Sequence, residues 1–145
     1  MDIPQKYIKM CDHEKVQDGW ELKPGDIIYS PWYPDCLTMA LCECKPFYRA
    51  IDHKGGVVSF GKEMEWTALP RQEDIQGWLQ DIILWYDLCK RGPSWHIRTY
   101  GGEMLSRQIT LQGETPEQCL LMAYFHEAHG LTWDGERWID ATNKN

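Results

Sequence analysis

Between Ile27 and Phe60 the chain alternates short β-prone runs with turn chemistry, and that alternation restricts its fold more than any other feature of the sequence. Lys23-Pro24-Gly25-Asp26 precedes Ile27-Ile28-Tyr29, Lys45-Pro46 divides residues 38–44 from 47–52, and His53-Lys54-Gly55-Gly56 leads into Val57-Val58-Ser59-Phe60. Turns this short join antiparallel neighbours, because a parallel partner needs a crossover of about a dozen residues or more. A meander of four short antiparallel strands is therefore expected. Its one longer connection, Ser30-Pro31-Trp32-Tyr33-Pro34-Asp35, is a proline-bounded loop. Trp32 and Tyr33 at its tip are better placed for binding than rings in a core.

Helical periodicity flanks this region. Tyr7, Ile8 and Cys11 fall at i, i+1 and i+4 and predict a short amphipathic helix from Pro4 to about Gln17, ending near Gly19. The strongest helical signal covers residues 71–89. There Ile75, Trp78, Leu79, Ile82, Trp85, Tyr86 and Cys89 share one face at about 100° per residue, a stripe that belongs against the sheet. Leu84 and Leu88, an i, i+4 pair on the far side, offer a contact to another helix of the same fold or a homodimer face.

A second β region follows, made of residues 94–100, a Gly101-Gly102 turn, and residues 103–111, where Leu105, Ile109 and Leu111 alternate with polar side chains. Thr115-Pro116-Glu117-Gln118 then starts a helix, with Thr115 as N-cap, Pro116 in first position and Gln118 placed to complete a capping box. That helix ends at His129, with Gly130 just beyond. Residues 132–139 read as a hairpin around an Asp134-Gly135 type I′ turn. The expected fold is α+β: an antiparallel sheet of short strands, a long helix across one face, and a C-terminal helix plus β-hairpin, all in a single domain spanning residues 1–145.

Composition narrows the function classes. The 145 residues include 22 Asp or Glu against 15 Lys or Arg, a formal charge of −7. That balance disfavours tracking a phosphate backbone, since non-specific nucleic-acid affinity comes from Lys and Arg neutralising phosphates. No nucleic-acid partner is expected. No run reaches the roughly 20 apolar residues of a membrane span, and residues 1–10 lack the apolar core of a secretory signal, so the expected setting is the cytoplasm. The six cysteines then read as reduced thiols, with Cys42 and Cys44 on one face of a strand as small core residues. Eight Trp residues are more than a core of this size hides, so some rings are expected at the surface, where they serve contacts with other proteins.

Three segments carry a resemblance. Tyr7-Ile8-Lys9-Met10-Cys11, the Trp66-x-x-Leu69-Pro70-Arg71-Gln72-x3-Gln76 stretch that opens the central helix, and the closing helix with Trp133-Asp134-Gly135-Glu136-Arg137-Trp138 together resemble small uncharacterised proteins encoded by phages and prophages of Gram-positive bacteria. The resemblance implies a mobile-element accessory protein in a host cytoplasm and supplies no activity.

Local chemistry is sparse. His126-Glu127-Ala128-His129 spaces its histidines i, i+3, where a metalloprotease helix needs i, i+4. Cys119, His126 and His129 return to nearly one helical face and are the weak candidates for a metal site, against a role for the histidines at the helix C-terminus, where the dipole favours them. No nucleophile elbow, P-loop or dinucleotide fingerprint is present, so an enzyme is less expected than a non-catalytic protein, with no catalytic residues and no cofactor. Arg71 starts a helix, where the dipole disfavours a cation unless a carboxylate such as Asp74 compensates; exposed beside Trp66, it would instead grip a planar or carboxylate ligand. The reading is an interaction protein that binds a host or phage protein through Trp32, Tyr33, Trp66, Arg71, Trp133 and Trp138. The alternative is a metal-binding or small-molecule-binding protein with its site near His126 and His129.

Overall fold

The computed structural model describes residues 3–31, 37–39, 48–52, 54–60, 65–83, 85–101 and 107–141. Its contacts divide into two compact units, Met1–Pro70 and Arg71–Asn145, each a mixture of antiparallel strands and helices. Among the described residues no helix is long and apolar enough to cross a membrane.

The first unit holds helices α1 (Gln5–Cys11) and α2 (Glu14–Gln17) and strands β1 (Ile27–Tyr29), β2 (Leu37–Met39), β3 (Tyr48–Ile51), β4 (Val57–Phe60) and β5 (Thr67–Leu69). The strands form one sheet in the order β4-β3-β2-β1-β5, antiparallel throughout, so the meander expected between Ile27 and Phe60 is present. β5, which the sequence did not signal, closes the sheet beside β1. Pro24 and Gly25 form the turn into β1, with the Asp26 N–H donating to the Lys23 carbonyl at 3.1 Å. The Asp26 carboxylate, nearly buried, accepts from the Lys23 N–H at 3.0 Å and from the Trp20 indole at 3.2 Å, which fixes the approach to the strand. Ile28, Leu37, Met39 and Ala50 make the core, with Leu22, Val58 and Trp66 packed against it. The single N-terminal helix expected from Pro4 to Gln17 is two helices: His13 adopts extended backbone and its Nδ1 accepts from the Lys15 N–H at 3.1 Å, capping α2 and ending α1. Tyr7, Ile8, Met10 and Cys11 form the buried face of α1.

The second unit runs α3 (Gln72–Gln80), β6 (Trp85–Arg91), β7 (Ser94–Gly101), β8 (Arg107–Gly113), α4 (Pro116–His129), β9 (Leu131–Trp133) and β10 (Trp138–Asp140). The long helix expected over residues 71–89 is not formed. Helix α3 keeps its first two turns, with Ile75 and Leu79 fully buried, and stops at Gln80; the chain then extends into β6, which pairs with β7 over seven residues. The β-branched and aromatic run from Ile82 suits a strand, and the ladder to β7 gives it partners a helix would not. The Leu84/Leu88 helical face therefore does not exist: Leu88 is half-buried on β6, and Leu84 lies outside the described residues. Gly92 and Pro93 form the two-residue loop between β6 and β7, with Gly92 at φ +62°, the conformation that a hairpin turn with glycine in its first central position requires.

Strands β6-β7-β8 form an antiparallel sheet in that order, and α4 packs on one face of it as well as against α3. Leu120, Leu121, Ala123 and Phe125 are fully buried, and a helix apolar around so much of its circumference is a core helix. Its ends follow local chemistry. Thr115 Oγ1 accepts from the Gln118 N–H at 3.2 Å, Pro116 occupies the first turn, and Gly130 takes the left-handed conformation at φ +66°. Gln118 does not complete the expected capping box; its Oε1 accepts from the Glu114 N–H at 2.9 Å, one residue further back. The C-terminal hairpin is present, but Trp133 pairs with Trp138 across four residues rather than a type I′ turn. Asp134 shapes the loop by accepting from the N–H groups of Glu136 and Arg137 at 2.8 and 2.9 Å.

Candidate functional site

The β6-β7-β8 sheet presents two unlike faces. The Thr99 hydroxyl donates to Glu127 Oε1 of α4 at 3.3 Å, so Thr99 and Ile97, both buried, face the helix. Strand alternation then turns His96, Arg98 and Tyr100 to the opposite face. The register sets Trp85 beside Tyr100, Asp87 beside Arg98 and Cys89 beside His96, with Thr110 and Gln112 across from Arg98 and His96 on β8. Directly paired residues have Cβ atoms about 5 Å apart, so these side chains form one continuous surface.

At one end of that surface the Trp85 and Tyr100 rings lie 4.9 Å apart at 30°, and Trp85 is 54% exposed. The Tyr100 hydroxyl donates to Asp87 Oδ2 at 3.3 Å and accepts from Arg98 Nη1 at 3.5 Å. The Tyr100 hydroxyl raises the Arg98 pKa most, with smaller contributions from Asp87 and Cys89. Beyond the aromatic pair opens a groove of about 290 Å³ lined by Asp87, Cys89, Arg91, His96, Arg98 and Thr110 among others. On a chain with more acidic than basic residues, the described residues of this groove include two arginines against one aspartate.

The residues singled out by sequence are not collected there. Trp32 and Tyr33 lie outside the described residues. Trp66 is packed on the core of the first unit. Arg71 is the N-cap of α3, and its backbone N–H donates to the Asp74 carboxylate at 2.9 Å, so Asp74 supplies the acidic group that the helix start requires. Trp133 and Trp138 come together as a cross-strand pair, ring centroids 5.2 Å apart. Trp138 stacks on the buried Phe125 at 4.0 Å and 9°, fastening the hairpin to α4, and both tryptophans stay partly exposed. Phe125 continues to Tyr124 and Tyr124 to Trp78 of α3, with His129 edge-on to both Tyr124 and Phe125.

The weak metal candidates do not converge. Cys119 is fully buried and its thiol donates to the Trp95 carbonyl at 3.2 Å; burial pushes it up to about 11, away from the thiolate a metal needs. His126 lies 3.8 Å from Glu127 Oε1, the oxygen that accepts from Thr99. Among the described residues no group of three or more His, Cys, Asp or Glu is arranged to hold a metal ion.

Trp85, Tyr100, Arg98 and His96 are the residues that sequence reasoning missed. Their signal was present in Trp85-x-Asp87-x-Cys89-x-Arg91 and Ser94-x-His96-x-Arg98-x-Tyr100, two alternating runs flanking Gly92-Pro93. It was masked because Trp85, Tyr86 and Cys89 also satisfy a helical stripe. No family model matches the chain, and neither a curated protein nor a solved structure matches it.

Proposed function

We propose that the protein is a non-catalytic accessory protein of a phage or prophage, acting in the host cytoplasm by binding a protein partner through the aromatic, open face of the β6-β7-β8 sheet. The observation that carries this reading is Trp85, the exposed large ring on that face. Covering about 100 Å² of such a ring contributes roughly 2.5 kcal/mol at about 25 cal/mol per Å², the scale on which single aromatic anchors dominate an interface. Tyr100 supports it from below, and the Tyr100 hydroxyl is fixed by Asp87 and Arg98, so the anchor is presented on an ordered strand pair. The resemblance of the Trp66–Gln76 stretch and the closing hairpin to phage and prophage proteins supports a host or phage protein as the partner.

The test is affinity capture by the tagged full chain from host lysate, with and without phage infection, beside Trp85→Ala. One specific protein held by the wild type and lost by the variant is the expected result. Equal capture by both would move the contact to another surface, and the absence of any specific capture would overturn the reading.

A further inference from the structure

We propose that the groove beside Trp85 takes an acidic peptide segment of the partner, its carboxylates meeting Arg91, His96 and Arg98 and an apolar side chain resting on the Trp85–Tyr100 shelf. This rests on the interaction reading and adds the chemistry of what is bound. The warrant is charge complementarity. The chain carries 22 acidic against 15 basic residues, yet among the described residues the groove reverses that balance, with Arg91 and Arg98 against Asp87, which lies beside Arg98 and leaves Arg91 without an acidic cross-strand neighbour. Guanidinium groups bind carboxylates through paired N–H donors, which gives two arginines on one surface both strength and orientation. The aromatic pair adjoins the cations through Arg98, so the face asks for an anion and an apolar group a few ångströms apart.

Two other occupants fit less well. A nucleic acid gains affinity by neutralising many phosphates along a track, and the described residues of this groove offer two arginines on an acidic chain. A second copy meeting face to face would oppose two grooves that each carry Arg91 and Arg98, a like-charge juxtaposition that disfavours pairing.

The experiment selects a random displayed-peptide library, unbiased in charge, on the full-length protein. Arg91→Glu/Arg98→Glu and Trp85→Ala serve as controls, each first shown by circular dichroism and urea unfolding to keep the wild-type fold. The expected result is enrichment of sequences carrying two or more Asp or Glu beside a Leu, Phe or Trp. Their binding should weaken about tenfold or more on either variant and fall with added salt. Neutral or basic sequences lost only by Trp85→Ala would overturn the acidic-peptide assignment and leave the interaction reading standing. Binding of a short thymidylate strand in place of peptides, or a concentration-dependent dimer abolished by Trp85→Ala, would overturn it in favour of those occupants. No enrichment on the wild type would overturn it outright, and the lysate capture separately decides the reading beneath it.

Discussion

The Gln17 carboxamide pairs with the Ala68 backbone as a neighbouring strand would: its Nε2 donates to the Ala68 carbonyl at 2.9 Å and its Oε1 accepts from the Ala68 N–H at 2.9 Å. Ala68 lies in β5 at the edge of the sheet, paired with Ile28 of β1 on its other side and fully buried. An edge strand that buries its outer N–H and C=O needs partners for them, and here one side chain from the end of α2 supplies both. The same Nε2 also donates to the Cys11 carbonyl at 2.8 Å, so the end of α1 and the end of the sheet are joined through one amide.

Gln17→Ala removes all three bonds and strands two buried backbone groups at Ala68. At about 1–3 kcal/mol for each group left unsatisfied, less whatever water recovers, the expected loss is about 2–3 kcal/mol in urea unfolding. A loss below about 0.5 kcal/mol would mean that the bridge is not maintained in solution.

Gly77 sits inside α3, exposed, and a methyl group added there meets nothing within 4 Å. Its φ is not in the left-handed region, so the only consequence of Gly77→Ala is less backbone entropy to lose on folding. The variant should be more stable by about 0.5–1 kcal/mol, seen as a melting temperature a few degrees higher. Gly113 gives the contrast: a methyl group there would come within 3.1 Å of Gln118 Cβ, where α4 crosses β8, so Gly113→Ala should destabilise.

What the sequence made legible follows how local the determinants are. Thr115, Pro116 and Gly130 set the ends of α4 through contacts within a few residues, and the turns around Pro24-Gly25 and Gly55-Gly56 mark the meander equally locally. The β6 strand was hidden because the spacing of Trp85, Tyr86 and Cys89 satisfies a helix, and only pairing with β7 decides otherwise. β5 has three residues and no turn signal of its own, and the Gln17 bridge that completes it spans 51 positions. The candidate face was illegible for the same reason: it exists only once strand alternation and register have placed Trp85, Arg98 and His96 side by side. The Phe125 stack on Trp138 cannot be inferred from spacing alone, because it joins the hairpin to α4.

Thiol chemistry separates the described cysteines. Cys89 is exposed on the groove, whereas Cys11 and Cys119 are fully buried, and burial pushes both of their thiols up, Cys11 well above its ordinary value even though the Tyr7 side chain acts to lower it. Because the thiolate is the reactive form, brief iodoacetamide treatment near pH 8 should label Cys89 and leave Cys11 and Cys119 at least about a hundredfold slower until denaturant is added. Peptide mapping by mass spectrometry reads this directly. Labelling of Cys11 at the rate of Cys89 would show that α1 opens freely from the sheet.

The hairpin loop should be sensitive to acid through one residue. Asp134 accepts from the backbone N–H groups of Glu136 and Arg137, and these bonds hold its pKa below the ordinary value of 3.8, with the Arg137 side chain 3.8 Å away adding less. A carboxyl whose pKa is depressed by folding stabilises the folded state above its unfolded pKa and ceases to do so as pH falls through the folded value. The loop order contributed by Asp134 should therefore be intact at pH 5 and decline from just below pH 4 downward. Trp133 and Trp138 flank the loop, so the nuclear magnetic resonance shifts of their indole N–H groups report the change. Asp134→Asn keeps a side-chain oxygen to accept from the Glu136 and Arg137 N–H groups but has no proton to gain, so its indole shifts should stay flat over the same range. An identical acid transition in wild type and Asp134→Asn would place the titrating group elsewhere in the hairpin.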